Sequence, residues 1–184
     1  MIIGNRREIS LKDDGRGWFL SNYLFLSSYI KTTEEFQGPY VKATKEFQEL
    51  FVNLPRLVGH EITTTFISYD LTGRSNGFGI RRELSKFHVF ENPNQFCWLL
   101  YQLLSRQTKG QVGPLLTSSK GVNLFFVKLK GGVFMVRAMW QGKEWELSIA
   151  DETGYHPALQ FSHEWNPEYV EVRIFDRNEQ ADPE

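Results

Sequence analysis

Between residues 73 and 82 the chain reads GRSNGFGIRR, with three glycines, one serine and three arginines in ten residues. Two chemistries use such a set. The first five residues match G-x-S-x-G, in which Ser75 would be a nucleophile exposed on a tight strand-to-helix turn. An elbow of that kind must run straight into a helix, whereas the following FGIRRELSKFHVF reads as loop and strand, so a polar turn is the better reading. The second chemistry is anion binding. Glycines let the backbone approach a phosphate or carboxylate closely, and Arg74, Arg81 and Arg82, with Ser75 and Gly77, would supply the donors. The GK[ST] ending of a nucleotide-binding loop is missing.

The four histidines, His60, His88, His156 and His163, form neither H-x-x-x-H nor H-E-x-x-H. GYHPALQFSHEW brings His156, His163 and Glu164 close in sequence, with Asp151 and Glu152 just before. That set suits proton transfer, but its spacing is generic. A single cysteine, Cys97, excludes an intramolecular disulfide and a cysteine-rich zinc site. No metal and no cofactor is expected.

A third candidate lies in LFFVKLKGGVFMVRAMWQGKEWELSI, residues 124–149. Two-residue turns at Gly131-Gly132 and Gln141-Gly142 would make it a three-stranded meander. They would set Leu129 against Phe134 and Ala138 against Trp145, with Phe125, Val127, Val136 and Leu147 on one apolar face. The other face carries Phe126, Lys128, Lys130, Met135, Arg137 and Met139, with Glu144 and Glu146, and Arg137 is expected to pair with Glu146. Lysines and an aromatic ring suit single-stranded nucleic acid. The two acids and the lone well-placed ring favour instead a protein-contact or self-association face.

These residues must be positioned by a sheet and helices. HEITTTFISYDL (60–71) is rich in β-branched and aromatic residues and reads as a strand, as does EYVEVRIFD near the end. Tyr40, Ala43, Phe47, Leu50 and Leu54 recur at helical steps and predict a helix over 39–53. ENPNQFCWLLYQLLSRQ predicts a second over 93–106, started by Asn92 and Pro93, with Phe96, Leu99, Leu100 and Leu103 as its buried stripe. GWFLSNYLFLSSYIKT (17–32) fits neither period well, and its Tyr and Phe content favours a strand or hairpin. The long connection TKGQVGPLLTSSKG between that helix and the meander has the length of loops that carry function or move. The expected architecture is α+β: an antiparallel sheet, with a C-terminal meander over about 122–150 and 168–175, packed on one or two helices. Residues 1–176 form one domain and 177–184 a polar tail.

Length and composition agree with one substantial core: 184 residues, 41% hydrophobic and 15% aromatic. The formal net charge of -1 gives no general pull toward nucleic acid or an acidic membrane. Residues 105–149 nevertheless carry a net +5 and residues 150–184 a net -7, blocks suited to neutralising each other. No run approaches the ~18 apolar residues of a membrane span, and MIIGNRREIS lacks the apolar core of a signal peptide. The chain therefore reads as a cytoplasmic interaction or regulatory protein with a protein partner or a second copy of itself. An enzyme or binder of anionic ligands at 73–82 is the alternative, and nucleic-acid binding a further one.

Overall fold

In the strand Gly121–Leu129 every residue from Gly121 to Val127 is buried, with no alternation of wet and dry positions. A strand like that needs cover on both faces, and the molecule provides it. The computed structural model describes residues 2–12, 41–44, 46–47, 63–84, 89–107, 109–152 and 159–177.

Nine strands and two helices are described: β1 Ile3–Lys12, β2 Val41–Ala43, β3 Thr63–Leu71, β4 Ser75–Asn76, α1 Gly77–Glu83, α2 Pro93–Arg106, β5 Gly121–Leu129, β6 Gly132–Trp140, β7 Trp145–Asp151, β8 Glu164–Trp165 and β9 Glu171–Arg177. Seven of the strands form one sheet in the order β1-β3-β9-β5-β6-β7-β2, and β4 pairs with β8 apart from it. The β5/β9 and β2/β7 pairs are parallel, and the other pairs of the large sheet are antiparallel.

This corrects the expected α+β antiparallel class. The molecule is mostly sheet, 50% strand against 16% helix, and the sheet is mixed. The last strand does not extend the meander at β7. It inserts between β3 and β5, so that Ile174 stands beside both Tyr69 and Leu124. Such long-range pairings leave no mark on local periodicity, which is why an all-antiparallel sheet looked sufficient.

The helices depart from expectation unequally. The α2 helix spans 93–106 as its stripe predicts, and Phe96, Leu99, Leu100, Leu103 and Leu104 are all fully buried. Over 39–53 the start is a strand instead, β2, with Val41 and Ala43 both turned to the same core and Phe47 buried close by. Residues 46 and 47 are helical, and 48–53, like 17–32, lie outside the described residues. Where a strand was expected over 81–90, residues 81–83 belong to α1. Asn76 caps that helix by accepting the Gly79 N–H on Oδ1 at 3.0 Å. Ile80 and Leu84, four residues apart, are its buried side.

The meander forms with both pairing registers shifted by two residues. Leu129 faces Gly132 and Ala138 faces Leu147, so the first turn is Lys130-Gly131 and the second a loop over 141–144. A slip of two keeps every side chain on its face. One face packs on α2 through Phe125, Val127, Val136, Ala138, Leu147 and Ile149. The other carries Leu124, Phe126, Met135 and Ile174, which meet Ile80, Leu84, Leu159, Phe161 and Trp165 in a second core. Complete burial of a Phe or Met side chain contributes about 1.5–3 kcal/mol, so neither face is left for solvent by default.

Candidate functional site

At one end of the sheet β3 finishes at Leu71 while β5 and β9 begin at Gly121 and Glu171. Between these ends and the loop residues Leu116 and Pro167 lies an open groove of about 290 Å³. Leu71, Leu116, Pro167, Val170 and Val172 form its apolar walls, and Asp70, Glu171 and Arg173 are its charged members.

Asp70 is saturated as an acceptor. Arg7 meets it through two bonds, Nη1 to Oδ1 at 2.9 Å and Nη2 to Oδ2 at 2.7 Å. Arg173 Nε donates to Oδ1 at 3.2 Å, and Asn5 Nδ2 to Oδ2 at 3.3 Å. A strand irregularity between Gly4 and Arg7, with Asn5 at φ 53°, brings both Asn5 and Arg7 onto this carboxylate. Burial alone would raise the Asp70 pKa, but the hydrogen bonds and charges of Arg7 and Arg173 outweigh it and hold the carboxyl below its ordinary value. The same bonds raise the Arg7 guanidinium. Asp70 is thus a fixed anion that fastens strands together, and not a base near neutrality.

The loop that walls the groove is also tied down. Arg173 Nη1 donates to the Pro114 carbonyl at 2.8 Å. Its register neighbour Asn123, fully buried, accepts the Leu116 N–H at 2.8 Å and donates to the Leu116 and Ala138 carbonyls at 3.1 Å. Gln107 bonds Leu115 at both its N–H and its carbonyl and donates to the Gln111 carbonyl as well. Three amide or guanidinium side chains therefore fix a connection whose length alone suggests mobility. On the opposite wall, Asn166 accepts the Glu168 N–H through Oδ1 and the Tyr169 and Val170 N–H groups through its carbonyl. That turn carries Tyr169, 68% exposed and next in sequence to the lining residue Val170.

None of the candidate site residues lines this groove, although Leu116 belongs to the long connection 108–121. In the 73–82 stretch, Arg74 pairs with Glu164 at 3.2 Å and Arg81 with Glu152, while Arg82 is exposed. Ser75 Oγ donates to the Asn76 carbonyl at 3.3 Å and its backbone pairs with Trp165. Among described non-glycine residues only Asn5 has positive φ, so Ser75 lacks the strained backbone of a nucleophile elbow although a helix does follow it. Gly77 is packed between Met135 and Phe161, where a Cβ would come within 3.0 Å of both, and its N–H bonds the Phe161 carbonyl at 2.8 Å. The stretch is a tightly packed support for the second core.

The face expected to meet a partner is largely interior. Phe126 and Met135 are fully buried, and Met139 is half-buried against the same cluster. Arg137 does pair with Glu146, at 3.1 Å, although its direct register partner is Ser148. Burial lowers the Arg137 pKa, opposed by Glu146. Lys128 and Lys130 remain exposed, Lys128 at 3.9 Å from Glu91. Among the described residues Phe126 offers them no ring for stacking bases, because it is buried in the second core with Ile80, Leu84, Leu159, Phe161 and Trp165.

His60, His88 and His156 lie outside the described residues. His163 is exposed, with its ring 4.3 Å from that of Trp165. Among the described residues no group of three His, Cys, Asp or Glu side chains is arranged to hold a metal, and no helix is long and apolar enough to cross a membrane.

The groove residues carried one readable signal. Arg173 shares its side of β9 with the buried Phe175, and an arginine on a core-facing row needs an acid beside it. Asp70, however, is 103 residues away in sequence. No protein-family model, no curated protein and no solved structure matches this chain.

Proposed function

We propose that this protein acts by binding a segment of a partner protein in the groove at the sheet end. Tyr169 carries the reading. It is a large amphipathic side chain, two-thirds exposed, on a fully bonded turn whose neighbouring residues Pro167 and Val170 line the groove. Rigid exposed aromatics next to pockets are the side chains that dominate protein–protein contacts, because they bury much area at low entropic cost. The interaction role expected from the sequence thus moves from the outer sheet face to this groove. The proposal places the protein in the cytoplasm, in keeping with its free, buried cysteine.

Affinity capture from source-cell lysate, comparing the wild type with Tyr169→Ala and Leu116→Arg, tests it. Proteins retained by the wild type and lost by both variants, with unchanged circular dichroism, are the expected result. Retention of the same proteins by all three, or of none by any, would overturn the proposal.

A further inference from the structure

Resting on the groove reading above, we infer that the occupant is a segment presenting one basic side chain next to an aliphatic one. The charged members of the lining are Asp70, Glu171 and Arg173. Arg173 is 14% exposed, with Nε committed to Asp70 and Nη1 to the Pro114 carbonyl, so it is spent on the wall. Asp70 is spent in the same way on Arg7 and Arg173. Glu171 differs. It is exposed, its bond from Ser118 Oγ at 3.3 Å is long, and no cation pairs with it among the described residues. Glu168 is exposed on the turn that carries Tyr169, next in sequence to the lining residue Pro167.

In sequence, Glu168 and Glu171 stand one residue before and two after the exposed Tyr169, and Glu171 lines the groove. An arginine or lysine meets both parts of that set: its charge pairs with the carboxylates, and its cationic head lies over the ring face. Leu116, Pro167 and Val170 then receive the neighbouring aliphatic side chain. Lys120 is exposed next to the start of β5, and its carbonyl accepts the Glu171 N–H at 3.0 Å. Its charge limits the preference to a single basic residue and disfavours a polybasic run.

Selection of a phage-displayed random heptapeptide library on the immobilised full chain tests this. Enriched sequences should pair Arg or Lys with a neighbouring Leu, Ile, Val or Met. The leading synthetic peptide should lose at least about tenfold in affinity against Glu171→Lys and against Tyr169→Ala. Replacing its basic residue by Glu should restore binding to Glu171→Lys. Both side chains are exposed, so melting curves should match the wild type. Enrichment of acidic or neutral peptides that depend on Tyr169 and not on Glu171 would overturn the basic class and leave the groove standing. Peptides indifferent to both substitutions, or no enrichment, would overturn the groove reading and this inference with it.

Discussion

Asp70 and Arg173 face each other across β3 and β9, and the guanidinium that bonds the carboxylate at 3.2 Å also bonds the Pro114 carbonyl at 2.8 Å. Arg7 closes the other side, so one ionic chain runs from the edge strand β1 through two further strands to the loop that walls the groove. Removing any member leaves a charge without its partner in a partly buried place, which costs more than the pair contributes when intact.

Asp70→Asn keeps the shape and removes the charge. It should lower stability by about 1–3 kcal/mol at neutral pH, read as a fall in the urea midpoint. The folded pKa of Asp70 lies below its unfolded value of about 3.9, so its contribution is complete above that value and is lost as pH falls through the folded pKa. The gap between wild type and variant should therefore be constant from about pH 5 to 8 and close below about pH 4. A gap independent of pH would contradict the ionic role.

Phe126→Ala separates a covered outer face from a wet one. With Phe126 fully buried against Phe161, at a ring separation of 6.0 Å, the loss should be about 3–5 kcal/mol. An exposed position would change stability by less than about 0.5 kcal/mol.

Gln107→Ala removes three side-chain bonds to loop carbonyls and an N–H. Amide hydrogen exchange should speed up at Leu115, whose N–H bonds Gln107 Oε1 at 2.8 Å, while β5 to β7 stay protected. Uniform acceleration would instead report global destabilisation.

Cys97 is buried in α2, and burial pushes its thiol well above the ordinary range. It should resist a disulfide reagent in native buffer at neutral pH and react at once in denaturant. Rapid native labelling would show that α2 does not pack as described.

What the sequence made legible followed local rules. The buried stripe of α2 and the β5–β6–β7 succession come from periods of 3.6 and 2. What it hid was set by contacts distant in sequence. The strand β9 between β3 and β5, and Asp70 against Arg173, depend on residues 50 to about a hundred positions apart. The second core had a visible cue that alternation obscured: VNLFFV in β5 has hardly any polar positions, as suits a strand covered on both faces. The α1 helix was masked by its glycines, although Asn76 before Ile80 and Leu84 spelled a cap and a buried side.

Entry of a partner at the groove next to the Tyr169 turn is tested most directly by photo-crosslinking. A benzophenone amino acid placed at Tyr169, and for comparison at the fully exposed Val112, would be irradiated in cells or fresh lysate. A discrete crosslinked protein is expected from the Tyr169 position, weakened by Leu116→Arg and not formed from the Val112 position. The same product from both positions, or none from Tyr169, would contradict it.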